Sequence, residues 1–374
     1  MNEALRAMAA APKAIAMWDF SWLERRWAGG GYEDWDEALD GLVERGYDAV
    51  RIDAYPHLVT DEASSHTLIP VWDQHEWGAT RPITVSVKDS LAGFVERARA
   101  HGVAVGLSSW FRRDVTERRM AITSPRLLGE WWARTLGFLD EAGVLDNILY
   151  VDLCNEWPLS VWAPFLYGDV EGGKAAELAA TDPVNQEWMT GATAVVRESY
   201  PGLPLTFSGW YEPGEDVSAL DFLEPHIWMT DDGPGQFYTC LGYDIVASNF
   251  DPHQYEILAG GAEALYRSDV PRWRAELTRQ IDEMAGLSRA TGLPLMTTEC
   301  WGIVNWKDRA DLPWGWVKEL CEIGVAEAIS RGRWVAMATS NFCGPQFPGM
   351  WDDVAWHRRL TGKIKAARCD LGKC

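Results

Sequence analysis

The stretch NILYVDLCNEWP, residues 147–158, carries the pattern that decides the fold. Its first part, residues 147–153, is a mainly apolar run that does not alternate with polar residues, which is typical of a parallel strand buried on both faces. Polar residues follow at once, with Asn155 and Glu156 directly beyond the run. We therefore interpret this stretch as a buried parallel strand that ends in a candidate site.

The same pattern recurs along the chain, and segments with helical periodicity separate nearly all of the runs. Eight βα units predict an α/β fold that closes into a single (β/α)8 TIM barrel. An open doubly wound sheet is the alternative, but no GxGxxG motif follows the first run. The predicted strands are residues 14–19, 48–53, 103–107, 147–153, 203–207, 222–228, 293–298 and 334–339.

The composition of the 374 residues excludes several classes of partner. The formal net charge of −21 predicts no nucleic-acid partner and no anionic membrane surface. No run is long and apolar enough for a membrane span, and no signal peptide is recognised. The seven cysteines form no CxxC motif, so we predict a cytoplasmic protein with no metal site and no cofactor.

We predict one catalytic domain over residues 1–374, with residues 1–12 and 365–374 as peripheral ends. The sequence does not decide whether the chain forms a homo-oligomer. The 22 tryptophans are far more than a core requires, and many of them lie just beyond the predicted strands.

In a (β/α)8 barrel the active site lies at the carboxyl ends of the strands. The residues expected there are acidic and aromatic with almost no lysine, which favours a neutral, hydroxyl-rich ligand with apolar faces. A carbohydrate fits that description, and exposed indole rings would pack against its C–H groups. The candidates, besides the residues of the fourth strand end, are Asp19, Trp22, Arg51, Asp53, Trp110, Trp210, His226, Trp228, Glu299 and Trp301.

Two carboxylates stand out because each directly follows a predicted strand. Glu156 lies beyond the fourth strand, and Glu299 lies in MTTECW, residues 296–301, beyond the seventh. Cleavage of a glycosidic bond needs two carboxyl groups, one acid and one base or nucleophile. The barrel would place these two on opposite sides of its mouth, at a separation that suits a retaining mechanism.

With these residues the chain resembles the clan A glycoside hydrolases, especially family 5 and its cellulase-like relatives. The resemblance implies that Glu156 is the acid/base, that Glu299 is the nucleophile and that Asn155 contacts the sugar 2-hydroxyl. It also matches Arg51 in the second strand and His226 in the sixth. We expect Arg51 to lower the pKa of Glu299, and His226 to orient Glu156 or a bound hydroxyl.

Three positions differ from the family pattern. Trp228 stands where the family has a tyrosine, Ser109 and Trp110 stand where a histidine is expected, and Asn341 and Phe342 replace a tryptophan. The sequence therefore predicts a retaining β-glycoside hydrolase with a carbohydrate substrate. Long loops at residues 55–85 and 230–255 would wall the mouth and favour exo action. A non-catalytic carbohydrate-binding protein and a transglycosylase remain as alternatives.

Overall fold

The computed structural model describes residues 2–168, 177–230 and 236–371. All eight predicted strands are present, most of them shorter than predicted. Three further short strands occur, two in the long loop after the second run and one just beyond the seventh. The strands are β1 (Lys13–Met17), β2 (Ala49–Asp53), β3 (His66–Leu68), β4 (Ile83–Val85), β5 (Ala104–Ser108), β6 (Ile148–Asp152), β7 (Leu205–Thr206), β8 (Ile227–Trp228), β9 (Leu295–Thr297), β10 (Cys300–Trp301) and β11 (Trp334–Met337).

Helices connect most of the barrel strands and pack around them. No helix separates β7 from β8, since all of residues 207–226 are described and none is helical. The helices are α1 (Glu3–Ala10), α2 (Ser21–Glu24), α3 (Trp35–Glu44), α4 (Pro56–Val59), α5 (Val87–Ala100), α6 (Pro125–Glu141), α7 (Pro164–Tyr167), α8 (Pro183–Ser199), α9 (Phe237–Leu241), α10 (His253–Ser268), α11 (Val270–Thr291), α12 (Gly315–Arg331), α13 (Pro348–Trp351) and α14 (Val354–Lys365).

The strands form a closed parallel barrel. Seven of them pair in parallel in the order β7–β6–β5–β2–β1–β11–β9. β8 pairs in parallel with β10, and parallel bridges join Gly209 to Pro225 and Leu223 to Leu295. The segment around β8 thus fills the gap between the two ends of the sheet. This confirms the predicted (β/α)8 barrel over the open sheet.

Capping residues explain where several of the long helices begin. The side chain of Asp34 accepts hydrogen bonds from two backbone N–H groups of α3. Ser124 accepts one from Leu127 ahead of α6, whose first residue, Pro125, has no N–H to satisfy. Such caps pair backbone groups that a helix leaves without intrahelical partners. They fix the helix starts, and so the lengths of the loops that carry the site.

The first helix closes the bottom of the barrel, opposite the mouth. Leu5 and Met8 are buried in a cluster with Ile15, Tyr150 and Val335, residues that lie on barrel strands. The prediction that residues 1–12 are a peripheral end is therefore wrong for α1, because its apolar face is part of the interior. At the other end Arg333 donates to the carbonyl of Asp370 at 2.6 Å, so that residues 366–371 are also held against the barrel.

The loop between β2 and α5 carries an antiparallel hairpin, β3–β4. It reaches the loop that precedes α10, where the N–H of Asp73 donates to the carbonyl of Asn249 at 2.9 Å and His75 Nδ1 lies 2.7 Å from the Tyr255 hydroxyl. The two loops therefore meet over the barrel mouth. Across residues 2–168, 177–230 and 236–371, no helix has the length and apolarity needed to cross a membrane.

Candidate active site

Glu156 and Glu299 lie close together at the carboxyl end of the barrel. Glu156 follows β6, and Glu299 lies between β9 and β10. A carboxylate oxygen of one lies within 4.8 Å of a carboxylate oxygen of the other, with His226 beside both. The barrel thus brings together two acids that are 143 positions apart in the sequence, the difference between 299 and 156.

Both carboxylate oxygens of Glu156 have a partner. Oε1 lies 3.0 Å from Nδ1 of His226, and Oε2 accepts a hydrogen bond of 2.7 Å from the indole Nε1 of Trp162. The backbone of Glu156 is left-handed, with φ of 49°, an uncommon conformation for a residue with a side chain. Gly209 has a φ of 141°, and a Cβ there would lie 3.2 Å from the Cα of Glu156, so a side chain at this position would be both strained and crowded.

Glu299 is more buried than Glu156 and has longer contacts. Its Oε1 lies 3.4 Å from Nη1 of Arg51 and 3.6 Å from Nε2 of His226. Burial raises the pKa of Glu299 well above its ordinary value, the charge of Glu156 raises it further, and Arg51 lowers it. Arg51 therefore acts on the pKa of Glu299 in the expected direction, but burial and the second carboxylate outweigh the guanidinium.

Arg51 is the buried cation of the site. Besides Glu299 it faces three carboxylates, with Nε 3.1 Å from Asp19 and its Nη atoms 3.3 Å from Asp152 and Glu224. Burial alone would lower the pKa of Arg51, but these carboxylates hold it well above the ordinary value. One guanidinium cannot balance four charges, and burial raises the pKa of Glu224 to about 7 even though Arg51 lowers it.

Asn155 lies in the same buried network. Its Oδ1 accepts a hydrogen bond from Arg51, and its backbone N–H donates to the carbonyl of Ser109 at 2.9 Å. The side chain is fully buried, and its Nδ2 has no hydrogen-bond partner in the described part of the chain. Because orphaned buried donors are costly, this N–H2 group is a candidate for a ligand contact.

Asp19 and Asp53 are both fully buried. Asp19 accepts a hydrogen bond from the indole of Trp110, and burial raises its pKa to about 6 although Arg51 lowers it. Asp53 accepts from the backbone N–H groups of Tyr55 at 2.7 Å and Trp110 at 2.9 Å. Burial raises the pKa of Asp53 to about 8. Asp53 therefore holds together the segments that follow β2 and β5.

The predicted tryptophans fall into two groups. Trp22, Trp110, Trp228 and Trp301 are at most 2% exposed. Trp22 packs against Tyr32 with ring centroids 4.8 Å apart, and the Trp301 indole donates to the carbonyl of Ala338 at 3.1 Å. Their rings are enclosed by protein, so the structure does not present them to a ligand. Trp210, in contrast, is 40% exposed and its ring lies 6.1 Å from that of His226.

Three tryptophans of the site were not predicted from the sequence, Trp72, Trp77 and Trp162. Trp77 stacks on Trp18 with centroids 4.8 Å apart, and Trp162 packs edge-on against Trp110 at 4.6 Å. Trp72 lies between these two pairs, with its ring centroid 5.1 Å from that of Trp77 and 6.1 Å from that of Trp162. We call these five residues, Trp18, Trp72, Trp77, Trp110 and Trp162, the aromatic wall. The tryptophan-rich loops after β2 and β6 were the signal that could have identified it.

The cluster of Glu156, His226 and Glu299 has the spacing that a metal ion could use, since one ligand atom of each lies within 4.8 Å of the others. The guanidinium of Arg51, 3.4 Å from Glu299, would repel a second cation there. The arrangement fits a hydrogen-bonded pair of acids better, and we assign no metal ligands.

Comparisons with known proteins give a consistent result. A family model described as sugar-binding cellulase-like matches residues 15–365. A protein from Parabacteroides distasonis, described provisionally as a glycoside hydrolase, is 44% identical with a TM-score of 0.90, and the match covers 96% of this chain and 95% of that one. A search of the curated proteins found no match.

More distant solved structures share the barrel. Thermotoga maritima Cel5A, in complex with mannotriose, is 12% identical with a TM-score of 0.56, covering 97% of this chain and 100% of that one. A Bacteroides ovatus GH5 xyloglucanase, in complex with a XXXG heptasaccharide, is 12% identical with a TM-score of 0.51, covering 97% and 77%. At these identities the likeness concerns the fold alone.

Proposed function

The chain belongs to the sugar-binding cellulase-like family, and on this basis we propose that it is a retaining β-glycoside hydrolase acting on short oligosaccharides or small glycosides. The observation that carries the proposal is the approach of Glu156 and Glu299 to within 4.8 Å. Retaining enzymes hold their two carboxyl groups about 5 to 5.5 Å apart, whereas inverting enzymes need roughly 6.5 to 9.5 Å to admit a water molecule.

The roles of the two acids follow from their surroundings. Glu156 has the more exposed side chain, 13% against 5% for Glu299, which suits the group that must protonate a departing alcohol and later activate water. Glu299 lies deeper and beside Arg51, where an attacking carboxylate would be stabilised. In the proposed double displacement Glu299 attacks the anomeric carbon while Glu156 protonates the leaving oxygen, and Glu156 then acts as base for water.

The raised pKa of Glu299 fits this scheme if the two acids share one proton. Burial is the largest cause of the rise and the charge of Glu156 is the second, so loss of that charge leaves Arg51 opposed by burial and by the more distant carboxylates. The proposed mechanism requires the proton to lie on Glu156 in the reactive form. Once the glycosyl ester has formed, Glu299 has lost its charge and Glu156 can release its proton.

Two groups around the acids offer contacts for a sugar. The orphaned Nδ2 of Asn155 would donate to the 2-hydroxyl, a contact that strengthens in the transition state. The half-exposed ring of Trp210, close to His226, would lie against the apolar face of the leaving group on the Glu156 side. Trp22, Trp228 and Trp301 are left out of the proposed sugar surface because they are buried.

The closed side of the mouth supports exo action. His75 contacts both the Tyr255 hydroxyl at 2.7 Å and the Ser248 hydroxyl at 3.3 Å, and Lys307 donates to the carbonyl of Gln74 at 2.9 Å. These bonds tie the loop after β2 to the loops after β8 and β10 and form a barrier to a long chain. The substrate would therefore insert one end rather than lie across the mouth.

The test is hydrolysis of a panel of aryl β-glycosides by the wild type and by Glu156→Gln and Glu299→Gln. We expect activity on at least one glycoside and a loss of at least about 1,000-fold in each variant, since each removes a group that the chemistry needs. Unchanged activity in either variant would refute the assignment. Sugar binding by calorimetry without turnover of any substrate would instead support a carbohydrate-binding protein, and glycosyl transfer at high acceptor concentration would identify a transglycosylase.

A further inference from the structure

Trp162 is held over Glu156 by the chain that joins them. The backbone N–H of Leu159 donates to the carbonyl of Glu156 at 2.8 Å, and that of Trp162 donates to the carbonyl of Leu159 at 3.1 Å. These two consecutive turns bring the indole back onto the side chain of Glu156. The resulting bond of 2.7 Å from Nε1 to Oε2 is thus fixed by local backbone structure as well as by packing.

The aromatic wall holds the ring from the other side. Trp162 is 5% exposed and meets Trp110 edge-on, with centroids 4.6 Å apart and an interplanar angle of 78°. Trp72 contacts it at 6.1 Å with an angle of 79°. Perpendicular packing of this kind is favourable for aromatic rings. A ring enclosed in this way cannot turn its N–H away from Glu156 without displacing two neighbours.

The aromatic wall is also linked to Glu299, through contacts of Trp110. The indole of Trp110 donates to Oδ2 of Asp19, and the same oxygen lies 3.1 Å from Nε of Arg51. Arg51 in turn faces Glu299. The two proposed acids are therefore positioned by one continuous set of contacts, in which Trp162 is the member that touches Glu156.

We propose that Trp162 is a positioning residue for proton transfer, whose N–H stabilises the carboxylate that Glu156 becomes as it protonates the leaving group. This inference rests on the proposed hydrolase function. An indole N–H can only donate, so its bond to Oε2 strengthens as negative charge develops on Glu156. An interaction that is stronger in the transition state than in the ground state accelerates the reaction. His226 contacts the other carboxylate oxygen of Glu156, Oε1.

Several other charged or titratable groups lie near Glu156. His226 lies 3.0 Å away on the β8 side, and Glu299, from the end of β9, lies within 4.8 Å. Arg51 faces Glu299 from β2, and the thiol of Cys154 lies in the same loop as Glu156. None of these groups replaces the donor to Oε2, so Trp162 has a separable contribution.

The dependence of the rate on the leaving group tests the proposal. Trp162→Phe keeps an aromatic ring and removes the N–H. We expect kcat/KM to fall about ten-fold for a phenyl glycoside, whose leaving group needs protonation, and by less than about two-fold for the dinitrophenyl glycoside, which needs none.

Trp188→Phe is the matched control. Trp188 packs from α8 against the same segment, with ring centroids 6.1 Å from Trp157 and 5.5 Å from Phe165, whereas the donor to Oε2 of Glu156 is Trp162. We expect this variant to keep the wild-type ratio of the two rates. If Trp162→Phe does not fold, replacement of Trp162 by β-(3-benzothienyl)alanine removes the N–H while keeping the outline of the ring.

The outcomes separate the inference from the function on which it rests. An equal loss with both glycosides, or no loss with either, would overturn the role of Trp162 while leaving a hydrolase in place. A wild type that turns over no glycoside would overturn the proposed function itself.

Discussion

Nδ1 of His226 lies 3.0 Å from Oε1 of Glu156, and Nε2 of the same ring lies 3.6 Å from Oε1 of Glu299. One buried imidazole therefore stands between the two proposed acids. Burial lowers the pKa of His226, although its hydrogen bond to Glu156 raises it. The lowered pKa favours the neutral ring, and we propose that His226 acts by fixing geometry rather than by adding a charge.

His226→Phe should keep the ring and lose both nitrogens. We expect kcat/KM to fall roughly 100-fold, as when a single fixed hydrogen-bonding partner is removed from an active site, with a smaller change in KM. Steady-state kinetics on the best aryl glycoside measure this. His101→Phe is the control, because the acids that His101 contacts are Asp36 and Asp40 rather than Glu156 and Glu299. A similar loss in both variants would contradict the assignment.

Arg51→Met should destabilise the fold as well as abolish activity. It leaves Asp19, Asp152, Glu224 and Glu299 without their buried cation, and loss of one partner of a buried ion pair costs about 3–5 kcal/mol. Urea unfolding gives the change in the free energy of unfolding. Arg97→Met, in an exposed pair with Asp36, is the control, and we expect it to leave the free energy of unfolding nearly unchanged. A change that small for Arg51 would argue against a buried charge cluster.

Substitution of a buried tryptophan should lower stability, whereas substitution of the exposed Trp210 should change substrate binding. Trp22→Ala should lower the free energy of unfolding by about 3–5 kcal/mol, because the ring is fully buried and leaves a cavity. Trp210→Ala removes a ring that is 40% exposed, and we expect a stability change of about 0.5 kcal/mol or less with a several-fold rise in KM. A large loss of stability with unchanged KM for Trp210 would remove it from the proposed sugar surface.

Glu224→Gln should change how stability depends on pH. Burial raises the pKa of Glu224 to about 7 in the folded chain, against roughly 4.3 in an unfolded one. The folded state then binds the proton more tightly, so this contribution is fully present below about pH 4.3 and is lost as the pH rises through about 7. Gln cannot ionise, and the variant should lose less stability than the wild type between pH 5 and pH 8, by an amount of the order of 2 kcal/mol.

The pH dependence of the variant must be compared with that of the wild type, because buried histidines make the free energy of unfolding rise with pH, whereas Glu224 makes it fall. Burial lowers the pKa of His57, His75 and His357 to about 3 each, and their contribution is present above about pH 6.5 and is lost as the pH falls. These groups are the same in both proteins, so the difference removes their contribution and leaves that of Glu224 together with the carboxylates coupled to it. Parallel stability curves would contradict the raised pKa.

The barrel was predictable because its strands are unalternating apolar runs with helical periodicity between them. The stretch of residues 147–158 contains both the strand and, just beyond it, Glu156. The hairpin β3–β4 was not predictable in the same way, since strands of three residues such as His66–Leu68 are too short for a period to show. Nor was α1 recognised as part of the interior, because Leu5 and Met8 are only two apolar positions in an alanine-rich segment.

The site was predictable only in its outline. Position after a strand identifies Glu156, Glu299 and Asn155, but it does not tell which neighbouring rings face the mouth. Trp301 follows a strand and is buried, while Trp162 lies further along a loop and contacts Glu156. The pKa of Glu299 depends on how deeply three elements bury it and on its distance from Glu156, and neither quantity can be deduced from spacing along the chain.

The central claim is that Glu299 forms a covalent bond to the sugar. The direct measurement is mass spectrometry of the protein after incubation with the 2-deoxy-2-fluoro analogue, bearing a good leaving group, of whichever glycoside the enzyme hydrolyses. We expect a mass increase of one glycosyl group, located on the peptide that contains Glu299 and lost in Glu299→Gln. Hydrolysis of the analogue without an adduct, or an adduct on another residue, would contradict it.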